Sequence, residues 1–320
     1  MTSVWCLQFS NKLNGGNQAL AAFFNDLLKG DGHTLVLRGG LSSFVKICLH
    51  NRKDWVVVSD PLCALVLFAL HFQRVIHFVQ SDDYDLFCER GDVFNLLYGK
   101  AYSALVKFSN WERVFNSDFS RLKFNARFDK SYEKDSVVPM LGLRDLFPTR
   151  TQTSVGKESI REGNVLWVGS KHAFKGGKTF VRIIERIGTH GTMLFSGEIP
   201  HWATNVPNIN LESNLSRDEV YKQMENARCY VYTSRFDSFG LPMFEALYAG
   251  CPVIALSNEC VQLNETSQFV HVVENDTELE KALSEGAYTH GQPDLVVEWE
   301  IERQRLLNWI DLNFRYLQSS

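Results

Sequence analysis

SRFDSFGLPMFEALYAGCPVIA, residues 234–255, packs a loop, a short helix and a buried strand into 22 positions, and the rest of the chain arranges itself around it. Residues 229–233 (CYVYT) precede it as a β-rich run that ends at the turn-forming residues 234–238. Pro242 supplies a φ suited to a first helical turn, residues 243–249 continue as helix formers, and Gly250 stops them. Residues 252–256 form the next strand. A helix start facing a loop presents unpaired N–H groups and the positive end of a dipole, which suits a phosphate-like anion. Gly240 lets such a ligand approach the backbone. Two carboxylates flank the turn, Asp237 in the loop and Glu245 about one turn into the helix. Glu245 lies between Phe244 and Ala246 on a helix wedged between apolar strands, and a buried Glu needs a partner. Sugar hydroxyls meet that need, because one carboxylate accepts two hydrogen bonds at once.

The stretch resembles the signature of retaining glycosyltransferases of family 4, whose pattern runs roughly E-G-F-G-L-P-x-x-E-A-x-A-x-G-x-P-V-I-A. Asp237, Phe239, Gly240, Leu241, Pro242, Glu245, Ala246, Gly250, Pro252, Val253, Ile254 and Ala255 stand on matching positions. The first carboxylate departs from the pattern, Asp237 being one methylene shorter than the usual Glu. The resemblance implies an α/β protein of GT-B architecture, with two Rossmann-like doubly wound domains facing a central cleft. It further implies transfer of a hexosyl or deoxyhexosyl group, with retention, from a nucleotide-sugar donor to a glycan or lipid-linked acceptor in surface polysaccharide or lipopolysaccharide biosynthesis. Two alternatives stay open: a catalytically impaired nucleotide- or glycan-binding protein, and a nucleotide-sugar epimerase of the same fold.

The chain has 320 residues, room for two domains. A hydrophobic content of 45% gives an ordinary core, and a net charge of −4 offers no general attraction for nucleic acid. The seven cysteines form no C-x-x-C pair and mostly lie in apolar runs, which points to reduced thiols and a cytoplasmic setting. The longest apolar run, residues 62–70, is too short for a membrane span, and residues 1–9 carry no secretory pattern. Any membrane contact is therefore expected to be peripheral, on the inner face of the plasma membrane.

Residues 4–9 read as a first strand, followed by the turn at Gly15 and Gly16 and a helix over 20–28. Gly15 and Gly16 form an ordinary turn on their own; the resemblance puts them opposite the donor diphosphate. Strands at 34–37, 55–58 and 75–79 alternate with helices at 42–50 and 62–72, which predicts a parallel, doubly wound sheet. The cluster HFVQSDDYD, residues 77–85, falls at the carboxyl end of a strand. HFVQSDD is similar to a YFVQD stretch in some rhamnosyl-transferring members of the family, and this resemblance implies His77, Gln80, Asp82 and Asp83 as acceptor-side candidates, with a core histidine and capping or solvated acids as the alternatives; a D-x-D metal site at Asp83 and Asp85 is the sharper competitor. Residues 100–134 are rich in Lys and Arg. They suit anionic lipid head groups or acceptor phosphates, or form a solvated face.

The first domain is placed at 1–147 and the second at 148–290, which the resemblance implies bind the acceptor and the nucleotide sugar respectively, and residues 291–320 form a closing helix expected to pack back toward the first domain. The second domain opens with a strand at 164–168 leading into GSKHAFKGG, residues 169–177. The family pattern here is G-R-x-x-x-x-K-G, so Gly169, Lys175 and Gly176 match while Ser170 replaces the Arg; Lys171 is the neighbouring cation, and adjacent positions at a strand end point in different directions. Residues 214–227 read as a helix with a Ser216–Glu219 capping box, and residues 257–265 as a loop. The resemblance implies Asp237 and Lys175 as catalytic residues. It implies Gly15, Gly16, Gly169, Ser170, Lys171, Ser238, Phe239, Gly240, Leu241 and Glu245 as donor-binding residues, with Glu245 on the ribose. Fixed positive groups then stabilise the leaving diphosphate, so neither metal nor cofactor is expected.

Overall fold

The computed structural model describes residues 3–8, 34–39, 55–80, 93–133, 137, 163–263 and 270–286. Gly15 and Gly16, the helices expected at 20–28 and 42–50, residues 81–85 with Asp82 and Asp83, the stretch 149–162 and the closing helix lie outside the described residues. The chain divides into two compact units, Met1–Leu146 with Trp299–Ser320, and Phe147–Glu298.

In unit one, β1 (Ser3–Gln8), β2 (Thr34–Gly39), β3 (Trp55–Val58), β4 (Val75–Val79) and β5 (Glu112–Phe115) form a parallel sheet in the order β2-β1-β3-β4-β5. The central strands WVVV and VIHFV are continuous apolar runs because helices cover a parallel sheet on both faces. Helices α1 (Pro61–Ala69), α2 (Val93–Phe108) and α3 (Asp118–Phe128) connect and follow the strands. Asp60 starts α1 by accepting from the Cys63 N–H at 2.9 Å, with Pro61 inside the first turn. Ser117 caps α3 in the same manner. Val56, Leu67, Leu105, Phe115 and Phe124 make the core beneath these helices.

Unit two contains β6 (Val165–Gly169), α4 (Gly177–Ile187), β7 (Gly191–Phe195), β8 (Ile209–Ser213), α5 (Arg217–Asn226), β9 (Cys229–Tyr232), α6 (Leu241–Tyr248), β10 (Val253–Leu256), α7 (Glu259–Leu263), β11 (His271–Val273) and α8 (Asp276–Glu285). Its six-stranded parallel sheet runs β11-β10-β9-β6-β7-β8. From β6 the chain winds outward to the β8 edge, then returns to lay β9 on the other side of β6. The β6–β9 junction is thus the point where winding reverses, and in open α/β sheets ligands commonly bind at the loops that leave the carboxyl ends of strands at such a point. Val165, Trp167, Phe180, Ile184, Val231 and Ile254 lie in the core of this unit.

Residues 257–265, expected as a loop, include α7, because the Asn258 side chain accepts from the Val261 N–H at 2.9 Å and starts a helical turn. Strands β5 and β8 and helices α2, α3, α4 and α8 were not expected from the sequence.

Candidate active site

Lys175 and Asp237 are 62 residues apart in sequence and meet across the β6–β9 junction. Lys175 ends a 3₁₀ turn (Ala173–Lys175) in the loop after β6, and Asp237 lies in the loop after β9. The lysine Nζ donates to Asp237 Oδ2 at 2.6 Å, with both side chains mostly withdrawn from water. Asp237 Oδ1 accepts from the Ser238 N–H at 3.1 Å, so the carboxylate is held from two sides.

The two loops are bonded to each other. The Trp167 indole N–H donates to the Thr233 hydroxyl (3.1 Å) and the Lys175 carbonyl (3.3 Å). The Thr233 hydroxyl lies 3.0 Å from the Gly176 carbonyl, and the Arg235 N–H donates to the Phe174 carbonyl at 2.7 Å. Gly176 adopts a left-handed conformation (φ 73°) against the Thr233 carbonyl, which a Cβ would approach to 2.0 Å. Only glycine fits there, and that fit brings Lys175 to the aspartate. Asn258 adds a third loop, donating to the Ser234 carbonyl at 2.8 Å.

Helix α6 leaves the same loop. Gly240 starts it with φ 76°, and Pro242 sits in its first turn. Phe239 is buried and stacks on Phe244 with ring centroids 4.3 Å apart, so its side chain is a packing element. Leu241 and Ser238 are half-buried. Glu245 accepts from Arg217 Nη2 at 2.6 Å, the side chains being 12% and 20% exposed respectively. Burial pushes the Glu245 carboxyl above the usual carboxylate range, and the Arg217 charge and hydrogen bond pull it back. Burial also raises the Tyr230 hydroxyl, with smaller contributions from Asp237 and Glu245. Burial and then Asp237 raise the buried Tyr232 hydroxyl, and Ser234 lowers it by a smaller amount.

Gly169 ends β6 with its carbonyl accepting from the Ser196 N–H at 2.8 Å. Ser170 is half-buried next to it. Lys171 is exposed and pairs with Glu198 at 3.2 Å, pointing its charge to a second acid. In unit one, His77 is fully buried at mid-strand, ring against Tyr102 and Trp111, and Gln80 is half-buried with its carbonyl accepting from Asn116 at 2.7 Å. His77 is therefore a core residue, and burial together with the neighbouring Arg113 cation lowers its pKa to about 3. Among the described residues no group of three or more His, Cys, Asp or Glu side chains is placed to hold a metal ion.

Arg217 is the site residue that the sequence reading missed. It is the first residue of α5, directly after the Ser216 cap, and nothing in its local pattern links it to Glu245. A cation in a first helical turn is electrostatically misplaced, and that anomaly was the available signal.

Residues 203–285 match the family model described as glycosyl transferases group 1. The match runs through Arg217, Asp237 and Glu245 and begins after the Lys175 loop. Sucrose-phosphate synthase from Thermosynechococcus elongatus is structurally similar, with a TM-score of 0.68 at 12% identity over 99% of this chain and 99% of that one. The glycosyltransferase WaaG, involved in lipopolysaccharide biosynthesis, gives 0.62 at 12% identity over 96% and 95%. The α,α-trehalose 6-phosphate synthase from Burkholderia multivorans gives 0.59 at 12% identity over 99% and 96%. The fold is GT-B. No curated protein sequence matches the chain. Within the GT-B fold, the Lys175–Asp237 pair occupies the winding reversal of unit two, and Glu245 follows on the helix that leaves the same loop.

Proposed function

We propose that the protein is a glycosyltransferase that moves a hexosyl or deoxyhexosyl group from a nucleotide-sugar donor to a glycan or lipid-linked acceptor, retaining anomeric configuration and using no metal or cofactor. The observation that carries the reading is the meeting of Lys175 and Asp237 at 2.6 Å beside a glycine-started helix. Lys175 and the positive end of the α6 dipole supply positive charge where the diphosphate leaves, and charge placed there by the fold favours the leaving group. Asp237 hydrogen-bonds the sugar near its reacting carbon. Glu245 accepts the ribose hydroxyls, and its loss costs roughly 1.5–3 kcal/mol of donor binding. The test is calorimetric titration with UDP-, GDP- and ADP-sugars, followed by an NMR time course of the product anomer. One nucleotide series binds, Glu245→Gln weakens it by one or two orders of magnitude, and the product keeps its configuration; an inverted product, or no binding at all, refutes the proposal.

Ser170 favours a second reading. With no arginine at that position and Asp237 neutralising Lys175, the chain carries less free positive charge than the family pattern supplies. Under this reading the protein binds a nucleotide sugar without transferring it. Slow hydrolysis of the bound donor supports the enzyme, and tight binding without turnover in the presence of acceptor supports the binding protein.

We further propose a peripheral membrane contact through unit one. Helix α2 packs between α1 and α3, and the exposed large hydrophobics among the described residues, Leu62, Leu70, Leu96, Leu97, Phe108 and Leu122, all lie on or at the end of these helices. Helix α2 contains no acidic residue, and its exposed face carries Lys100 and Lys107 beside Leu97 and Phe108, 62% and 67% exposed. An apolar face flanked by two lysines fits an anionic lipid surface. Flotation with phosphatidylglycerol vesicles recovers the protein, and Leu97→Ser with Phe108→Ser abolishes recovery; equal recovery with neutral phosphatidylcholine vesicles rules out the charge component.

A further inference from the structure

We infer that Arg217 is a positioning residue for Glu245, fixing its carboxylate as a charged, oriented acceptor for a nucleotide. The inference deepens the reading above in which Glu245 faces the ribose, and it rests on that reading.

Three observations carry it. The first is geometric: Arg217 and Glu245 come from neighbouring helices, α5 and α6, 28 residues apart, and join at 2.6 Å with most of both side chains out of water. Arg217 supplies the single hydrogen bond that the Glu245 carboxylate receives among the described residues, through Oε1, which leaves Oε2 available to a hydroxyl. The second is that the arginine is fixed at its root. The Ser216 hydroxyl accepts from the Glu219 N–H at 3.3 Å and the Ser216 N–H donates to Glu219 Oε2 at 2.7 Å, so the backbone that bears Arg217 is clamped by a capping box. The third is that Arg217 stands at the wrong end of its own helix. The first turn of α5 favours anions, as Asp218 and Glu219 illustrate, and a cation there opposes the helix dipole. Helix α5 on its own would be better served by almost any uncharged or acidic residue, so what the arginine does for α6 explains it better than what it does for α5.

The chemistry follows from charge. An ionised carboxylate accepts two hydroxyl protons, whereas a protonated one must spend an oxygen on its own hydrogen. Burial favours the protonated form of Glu245 and Arg217 opposes it. Around the carboxylate stand Arg217 from α5, Tyr230 from β9, whose hydroxyl is held neutral, and, acting on the same Tyr230, Asp237 from the loop. Arg217 is the cation of this set, so its removal raises the carboxyl further and makes nucleotide binding depend on pH.

The test uses the full chain as wild type, Arg217→Gln, Arg217→Lys, Glu245→Gln and the Arg217→Gln/Glu245→Gln double variant, titrated with UDP, GDP and ADP between pH 6 and 9. Wild-type affinity stays level across this range. Arg217→Gln binds at least tenfold more weakly at pH 6 and regains affinity as pH rises; Arg217→Lys keeps the level profile, and Glu245→Gln is weak at every pH. Loss of affinity by the same factor at all pH values, or no loss, overturns the positioning role. Thermal melting without nucleotide gives an independent arm. A folded-state carboxyl raised above its unfolded value contributes stability below the ordinary carboxylate range that disappears as pH rises through the raised value. The melting temperature of Arg217→Gln therefore falls relative to the double variant between pH 5 and 8, and parallel curves refute the charge coupling. If this arm succeeds while no nucleoside diphosphate binds the wild type, the ribose reading has failed and the positioning of Glu245 for a nucleotide falls with it.

Discussion

Replacing Gly176 by alanine puts a methyl group 2.0 Å from the Thr233 carbonyl oxygen, in a backbone conformation (φ 73°) that L-residues resist. Gly188 is the matched control: its φ is 65°, it ends α4, and a Cβ there meets nothing within 4 Å. Both substitutions carry the left-handed strain, about 1–2 kcal/mol. Only Gly176→Ala adds a collision with main chain, and relief requires the loop after β6 to withdraw from β9 by ~1 Å or more. That withdrawal strains the hydrogen bonds of the Trp167 indole and the Thr233 hydroxyl, and overpacking of this kind costs about 1–3 kcal/mol. The net difference between the two variants is therefore about 2 kcal/mol, or roughly 4–8 °C in melting temperature for a unit of this size. Lys175, the residue before the glycine, moves with the loop and loses its 2.6 Å contact with Asp237. Differential scanning calorimetry and nucleoside diphosphate titration on the two variants measure both effects. If Gly176→Ala melts with Gly188→Ala and binds as tightly as wild type, the glycine does not hold the two loops together and Lys175 does not depend on it.

Three further outcomes follow from the same structure. Asp237 competes with any phosphate for the Lys175 ammonium, so Asp237→Asn binds a nucleoside diphosphate several-fold more tightly while sugar transfer falls, and Lys175→Met binds it at least tenfold more weakly; calorimetry and initial rates check both, and weaker binding by Asp237→Asn contradicts the competition. His77 has its pKa lowered to about 3, so its contribution to stability is full above the ordinary 6.5 and is lost as pH falls toward 3. By pH 5 the loss is about 2 kcal/mol relative to pH 7, and His77→Phe should flatten that part of the urea-denaturation profile, unchanged acid sensitivity being the contrary result. Ser216→Ala removes the α5 cap and costs about 1 kcal/mol, read by thermal melting, with a loss of nucleotide affinity as well if the cap steadies Arg217.

The central strands of both sheets were legible because burial on two faces leaves almost no choice but apolar and β-branched residues; β4 falls on residues 75–79 as expected. Strand β5 was hidden by its own contents. It begins with exposed Glu112 and carries Arg113, a buried cation held by the Tyr132 and Ser109 hydroxyls and main-chain carbonyls instead of a carboxylate among the described residues. Strand β8 reads INLES because it lies at the sheet edge, half-buried, where polar Asn210 and Glu212 are tolerated. The site was half legible. Lys175, Asp237 and Glu245 stand at pattern positions, but the Arg217–Glu245 pair joins two helices that only tertiary packing makes neighbours.

The lacing of the loops after β6 and β9 has a mechanical consequence. Three main-chain segments are joined there through one indole, one threonine hydroxyl and one asparagine amide, with a glycine allowing no slack between two of them. Such a bed deforms as a single piece or not at all. Accommodation of an incoming anion is left to the four-carbon stem of Lys175, swapping one negative partner for another while its anchorage stays still.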